Sequence, residues 1–188
     1  IMANKDAAFG LRTVGKLGSS PQNGGTTGYN LLTGTTGAIF SGDPVKMVST
    51  GGIAVAAAGD TLLGIFRGVQ YTNSSGAAIF SAHWVTATAA TDAVAMVEDD
   101  PDALFEVQCD GSMATTVIGN NADMATYVAG STKTGMSGVE ISSTTGTGTA
   151  QFRIIGFSQD PANSTTGSAN INVVVKINEH FYDAAAGV

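Results

Sequence analysis

Apolar residues in this chain come in short runs, and nearly every run is closed within a few residues by Gly, Ser, Thr, Asn or Pro. The runs cover 45–48, 53–56, 62–71, 77–85, 93–98, 104–108, 139–142, 151–157 and 170–181. Each is of strand length, and turn residues at such spacings predict a β-barrel or β-sandwich. Alternation is cleanest at Val173-Val174-Val175-Lys176-Ile177, where Val173, Val175 and Ile177 fall on one face. The fold class read here is mainly β, a single barrel or sandwich body, with at most a short helix at 119–125 that Asn120 or Asn121 could cap.

Three of the four prolines follow aspartate, at Asp43-Pro44, Asp100-Pro101 and Asp160-Pro161. An aspartate carboxylate can close a turn on its own backbone, and the residue before proline favours extended geometry. Each pair therefore predicts a corner beside a strand. The Ser/Thr/Gly stretch 142–150 predicts a loop or hairpin tip.

Residues 1–29 read differently from the body at 30–188. This segment carries Lys5, Arg12 and Lys16 against Asp6 alone, in a chain whose net charge is −7. Its glycines, with Pro21, discourage regular structure, and so short a segment cannot build its own core. It is either a disordered terminus or an extended, basic N-terminal arm pinned by a partner, and the pinned arm is the reading favoured. Phe9, Leu11, Val14 and Leu17 would be the apolar anchors and Lys5, Arg12 and Lys16 the charged contacts. On this reading, deleting residues 2–20 leaves the body folded.

Charged residues make up 12% of the chain, about half the usual share. Interspersed charge is what keeps small proteins apart, so a surface this poor in it favours assembly with neighbours. Eight scattered basic residues give no patch for nucleic-acid phosphates. No apolar run reaches the roughly 18 residues of a membrane span. No basic stretch precedes an apolar one in the manner of a signal peptide, which predicts synthesis in the cytoplasm.

Chemistry is sparse. The single Cys109 shares a face with Phe105 and Val107 in a strand-like run and is read as an inert buried thiol. His83 and His180 lie far apart, without a nucleophile motif, and are read as partly exposed aromatic-like fillers. The segment 92–110 holds Asp92, Glu98, Asp99, Asp100, Asp102, Glu106 and Asp110 and no Lys or Arg. Three readings stand: a solvated acidic corner, a cation site without the spacing of a known loop, or a docking edge for a basic partner, such as the arm of a neighbouring copy. A hydrolase using the 98–106 corner would need Asp99, Asp100 or Glu106 in a cleft with a raised pKa. No catalytic residue, cofactor or metal is assigned.

Several elements in order resemble a known family: Met2-Ala3-Asn4-Lys5-Asp6-Ala7-Ala8-Phe9-Gly10-Leu11-Arg12, Phe40-Ser41-Gly42-Asp43-Pro44-Val45, the run Leu63 to Tyr71, Asp99-Asp100-Pro101 leading to Phe105-Glu106-Val107-Gln108, and Ile177-Asn178-Glu179-His180. Together they are similar to the head decoration or cement proteins of tailed bacteriophages, particularly those of aquatic hosts. The resemblance implies a virion structural protein on the capsid exterior. It would bind the major capsid protein, often as a dimer or trimer, commonly through an extended terminal arm and without catalysis. The competing expectation is a surface-displayed, tail or fibre β-sandwich that binds carbohydrate or assembles into a fibre.

Overall fold

A computed structural model describes residues 3–18, 25–32, 37–86, 88 and 90–183. The chain is mainly β, in two large antiparallel sheets and one small one. The first sheet contains β1 (Arg12–Lys16), β10 (Ala103–Gln108), β14 (Asn172–Ile177), β13 (Phe152–Phe157), β11 (Asn121–Met124) and β12 (Ile141–Gly146), in that spatial order. The second runs β2 (Thr27–Asn30), β9 (Val94–Glu98), β6 (Gly64–Thr72), β4 (Pro44–Met47) and β5 (Ile53–Val55). In it the long β6 pairs with β4 at its start and with β7 (Ala78–Ser81) over its later half. A two-stranded sheet joins β3 (Ile39–Phe40) to β8 (His83–Trp84). Neither large sheet closes on itself, so the body is sandwich-like rather than a barrel.

Each sheet carries its own core. Val173, Val175 and Ile177 of β14 are buried with Phe105, Val107, Cys109, Phe152 and Ile154 in the first. Phe66, Val69, Val97, Trp84 and Ile39 form the second. Successive strand residues point to opposite faces, and β6 uses this: Ile65 enters the first core and Phe66 the second. The two strands of the β6–β9 pair also approach closely. A Cβ placed on Gly64 would stand 2.3 Å from the Glu98 carbonyl oxygen, so only glycine fits there.

The aspartates before proline do make corners. Asp43 takes the Phe40 N–H on Oδ2 at 2.9 Å just before β4. Asp100 takes the Asp102 N–H at 2.9 Å between β9 and β10. Asp160 takes the Ala162 N–H at 3.0 Å after β13. Two local expectations are corrected. No helix forms at 119–125: a single 3-10 turn at Thr115–Val117 precedes the strand β11. Tertiary pairing with β12 and β13 overrides the weak strand preference of Asn121 and Asp123. Likewise 142–150 is not all loop, because β12 runs through Gly146 on the edge of the first sheet.

The boundary expected near residue 29 does not separate arm from body in space. The described part of the N-terminal segment is extended, but it lies on this chain's own sheets, with β1 as the outer strand beside β10. Residues 1–2 and 19–24 of the expected arm lie outside the described residues.

Candidate interaction surface

Hydrogen bonds at four residues, Asn4, Lys5, Ala7 and Leu11, fasten the N-terminal segment. The Asn4 side chain donates to the carbonyls of Thr165 at 3.1 Å and Ala169 at 3.0 Å. The Lys5 carbonyl accepts from Gln108 and from Asn163, each at 2.8 Å. The Ala7 N–H donates to Gln108 Oε1 at 2.9 Å. Gly10 then turns the chain at φ +74°, where a Cβ would strike Ser137, and Leu11 N–H reaches the Gly42 carbonyl at 2.9 Å.

The seven predicted contact residues separate into two groups. Leu11 is 2% exposed and belongs to the first core, so its role as an outward anchor is corrected: the chain's own body uses it. Phe9 is half-buried beneath the Arg12 guanidinium, 5.0 Å from its ring centre. Arg12 pairs with Glu106 at 2.5 Å and Lys16 with Asp100 at 2.5 Å. Val14 is 49% exposed and Leu17 39%, and Lys5 is exposed. Val14 is the extra residue where the β1–β10 register slips between Thr13 and Gly15. A bulge re-aims its residue, which accounts for an apolar side chain turned to solvent.

The acidic segment finds its basic partner within the same chain. Besides Glu106 and Asp100, Asp102 meets Lys176 at 3.3 Å. Asp99 accepts from Tyr29 Oη at 2.6 Å and Thr27 Oγ1 at 3.0 Å. Burial pushes the Asp100 carboxyl up, but Lys16 and the Asp102 N–H outweigh it and leave the pKa below the usual range. Burial acts on Glu106 in the same way and is overcome by bonds from Arg12, Ser158 and Asn172. Hydrolytic acid catalysis from this corner requires a raised pKa, and these two residues shift the other way. Among the described residues no group of three or more His, Cys, Asp or Glu is placed to hold a metal ion.

Sequence patterning does not find the central element here. Arg67 is the extra residue in a second bulge, where β6 slips against β9 between Phe66 and Gly68. It donates to Glu98 Oε2 at 3.0 Å from Nε and 2.8 Å from Nη2, and from Nη1 to the Leu11 carbonyl at 3.1 Å. Thr13 completes the cluster through its hydroxyl, which contacts both Arg67 and Glu98. Glu98 is 3% exposed, and a carboxylate buried that deeply needs such a partner.

His83 stacks on Phe40 at 5.8 Å and is half-buried, as a filler would be. His180 is 1% exposed rather than partly exposed. The parallel bridge of its segment to Leu62 carries it inside, with Leu62 N–H on the Glu179 carbonyl and Phe181 N–H on the Leu62 carbonyl. Its Nδ1 accepts the Tyr182 N–H at 3.2 Å, and burial lowers its pKa. Cys109 is fully buried, its thiol pushed up to about 11, first by desolvation.

No family model, curated protein or solved structure matches this chain.

Proposed function

We propose that this chain is a structural subunit that binds the outside of an icosahedral phage capsid and stabilises it, acting by contact rather than catalysis. The supporting observation is the N-terminal strand. It is held from below by Leu11, Arg67 and Glu106, while Val14 in its bulge and Leu17 just past its end are exposed. An apolar pair displayed on a fixed strand offers a partner contact area without the entropy cost of ordering a loose arm. The charge-poor composition supports the same reading, as does the ordered resemblance to decoration proteins. Many copies on one shell would make weak individual contacts sufficient.

The test is co-sedimentation of the purified full chain with shells that lack it, with heat resistance of the shells as a second readout. Wild-type protein is expected to sediment with the shells and protect them. A Val14→Asp, Leu17→Asp double variant should stay folded and remain in the supernatant. Wild-type protein that ignores the shells would overturn the reading in favour of a surface-displayed or fibre domain.

A further inference from the structure

Sheet edges expose unpaired backbone groups, and proteins blunt them with charge, proline, bulges or short length. β1 has Arg12, Lys16 and a bulge. β5 has three residues. β12 has a register slip against its neighbour, and β2 is tied to Asp99 through Thr27 and Tyr29. β7, four residues long, has no charge, proline or bulge. It pairs with β6 in unbroken register, from Val69↔Ser81 to Thr72↔Ala78, and carries the side chain of Phe80, 74% exposed. No Asp, Glu, Lys or Arg occurs anywhere from Gly68 to Thr91.

The hairpin fixes which backbone groups of β7 are free. Asn73 N–H donates to the Ala77 carbonyl at 2.9 Å, closing the turn on Gly76 at φ +82°. Hydrogen-bonded pairs alternate along an antiparallel ladder. Ala77, Ile79 and Ser81 therefore bond toward β6, while Ala78 and Phe80 turn their N–H and C=O outward.

We propose that β7 pairs antiparallel with β7 of a second copy about a twofold axis, joining the two second sheets into one. This rests on the self-association contained in the proposed function and names the surface that performs it. In the register that uses both outward residues, Ala78 faces Phe80 of the other copy twice, and Ile79 faces Ile79 on the axis. The small Ala78 leaves room beside which the opposite Phe80 ring lies, and cross-strand pairs of this kind stabilise sheets. Charge selects the occupant. Two chains each carrying −7 repel, and the stretch from Gly68 to Thr91 is one they can bring together without opposing carboxylates. The twofold makes the contact self-complementary and closed, so it ends at a dimer.

Light scattering on the eluting full chain tests this without shells. Wild type is expected to have the mass of a dimer and Phe80→Lys that of a monomer, still folded but with a melting temperature that no longer rises with protein concentration. Ile79→Cys is the second arm. Opposed residues in a non-hydrogen-bonded pair stand about 4.5 Å apart at Cα, within disulfide range, so mild oxidation should link two chains through position 79. The deeply buried Cys109 gives little background. A monomeric or trimeric wild type, or a dimer that survives Phe80→Lys and does not cross-link at position 79, would overturn the proposal. Dimers that ignore shells would instead count against the capsid reading alone.

Discussion

Arg67 holds Leu11 in place from a different sheet: its Nη1 donates to the Leu11 carbonyl at 3.1 Å, while Nε and Nη2 grip Glu98. The ion pair is screened from water, at 24% side-chain exposure for Arg67 and 4% for Glu98. Arg12–Glu106 differs, since Arg12 is 58% exposed and the buried Glu106 keeps the Asn172 side-chain bond at 3.1 Å without it. An exposed pair contributes about 0–1 kcal/mol, whereas stripping one partner from a buried pair costs roughly 3–5 kcal/mol. Arg67→Met should therefore destabilise the chain by about 3 kcal/mol, and Arg12→Met by under about 1 kcal/mol. Urea unfolding of the two variants measures the difference, and equal effects would mean that Glu98 finds another partner.

The N-terminal segment should be part of the stable fold. Leu11→Ala removes a fully buried side chain and is expected to cost roughly 2–5 kcal/mol. Removing residues 1–16 goes further, because it bares β10 and takes the whole Leu11 side chain out of the first core. The truncated chain should melt well below the full one in calorimetry, contrary to the sequence-based expectation of an intact body. An unchanged melting temperature would show that the segment is dispensable.

His180 should give stability a slope just below neutral pH. Burial depresses its folded pKa, opposed by the charges of Asp183, Asp99 and Asp100 and assisted by Lys176. The unfolded chain takes up a proton as the pH falls through the ordinary value of 6.5, and the folded chain does so only lower. Protonation thus favours the unfolded state, and stability is lost from about pH 6.5 downward until the folded value is reached. The lowered carboxyls of Asp60, Asp100 and Glu106 act in a separate window, below the ordinary carboxylate values. The melting temperature should therefore begin to drop between about pH 6.5 and pH 5, and His180→Phe should flatten that part of the curve. A slope unchanged by the substitution would assign it elsewhere.

Gly64 should tolerate no side chain. Alanine there would place its methyl against the Glu98 carbonyl, which is backbone and cannot swing aside. The strands must then separate at the point where β6 meets β9, for a loss of about 2 kcal/mol or more. Gly148, with open space around it, is the control: Gly148→Ala should leave the denaturation midpoint within error of wild type.

The strands easiest to read in the sequence were those whose side chains alone encode burial. In β14 the alternation of Val173, Val175 and Ile177 with Val174 and Lys176 predicts the core face directly. β1 carries no such pattern. Its Gly15 and bulged Val14 break the period, and its place is set by Glu106 and Asp100, far along the chain. Opposite charge on the N-terminal segment and on 92–110 was legible, and so was their attraction. Composition could not say that both partners belong to one molecule. His180 was misread because a polar residue near a run's end suggests exposure, whereas its burial comes from the strand-like bridge to Leu62. Phe80 lay in a correctly read strand, but whether a strand is central or at an edge depends on its neighbours in space, which local pattern does not encode.

The wide separation of the N-terminal segment from its partners sets an order of events during synthesis. Arg12 leaves the ribosome 94 residues ahead of Glu106, and Asn4 161 residues ahead of Thr165. Until those partners emerge, Leu11 has no complete core to enter and β1 no strand to pair with. A nascent chain of this topology cannot consolidate its first sheet vectorially, and must hold residues 4–16 in reserve until β10, β13 and β14 have been translated.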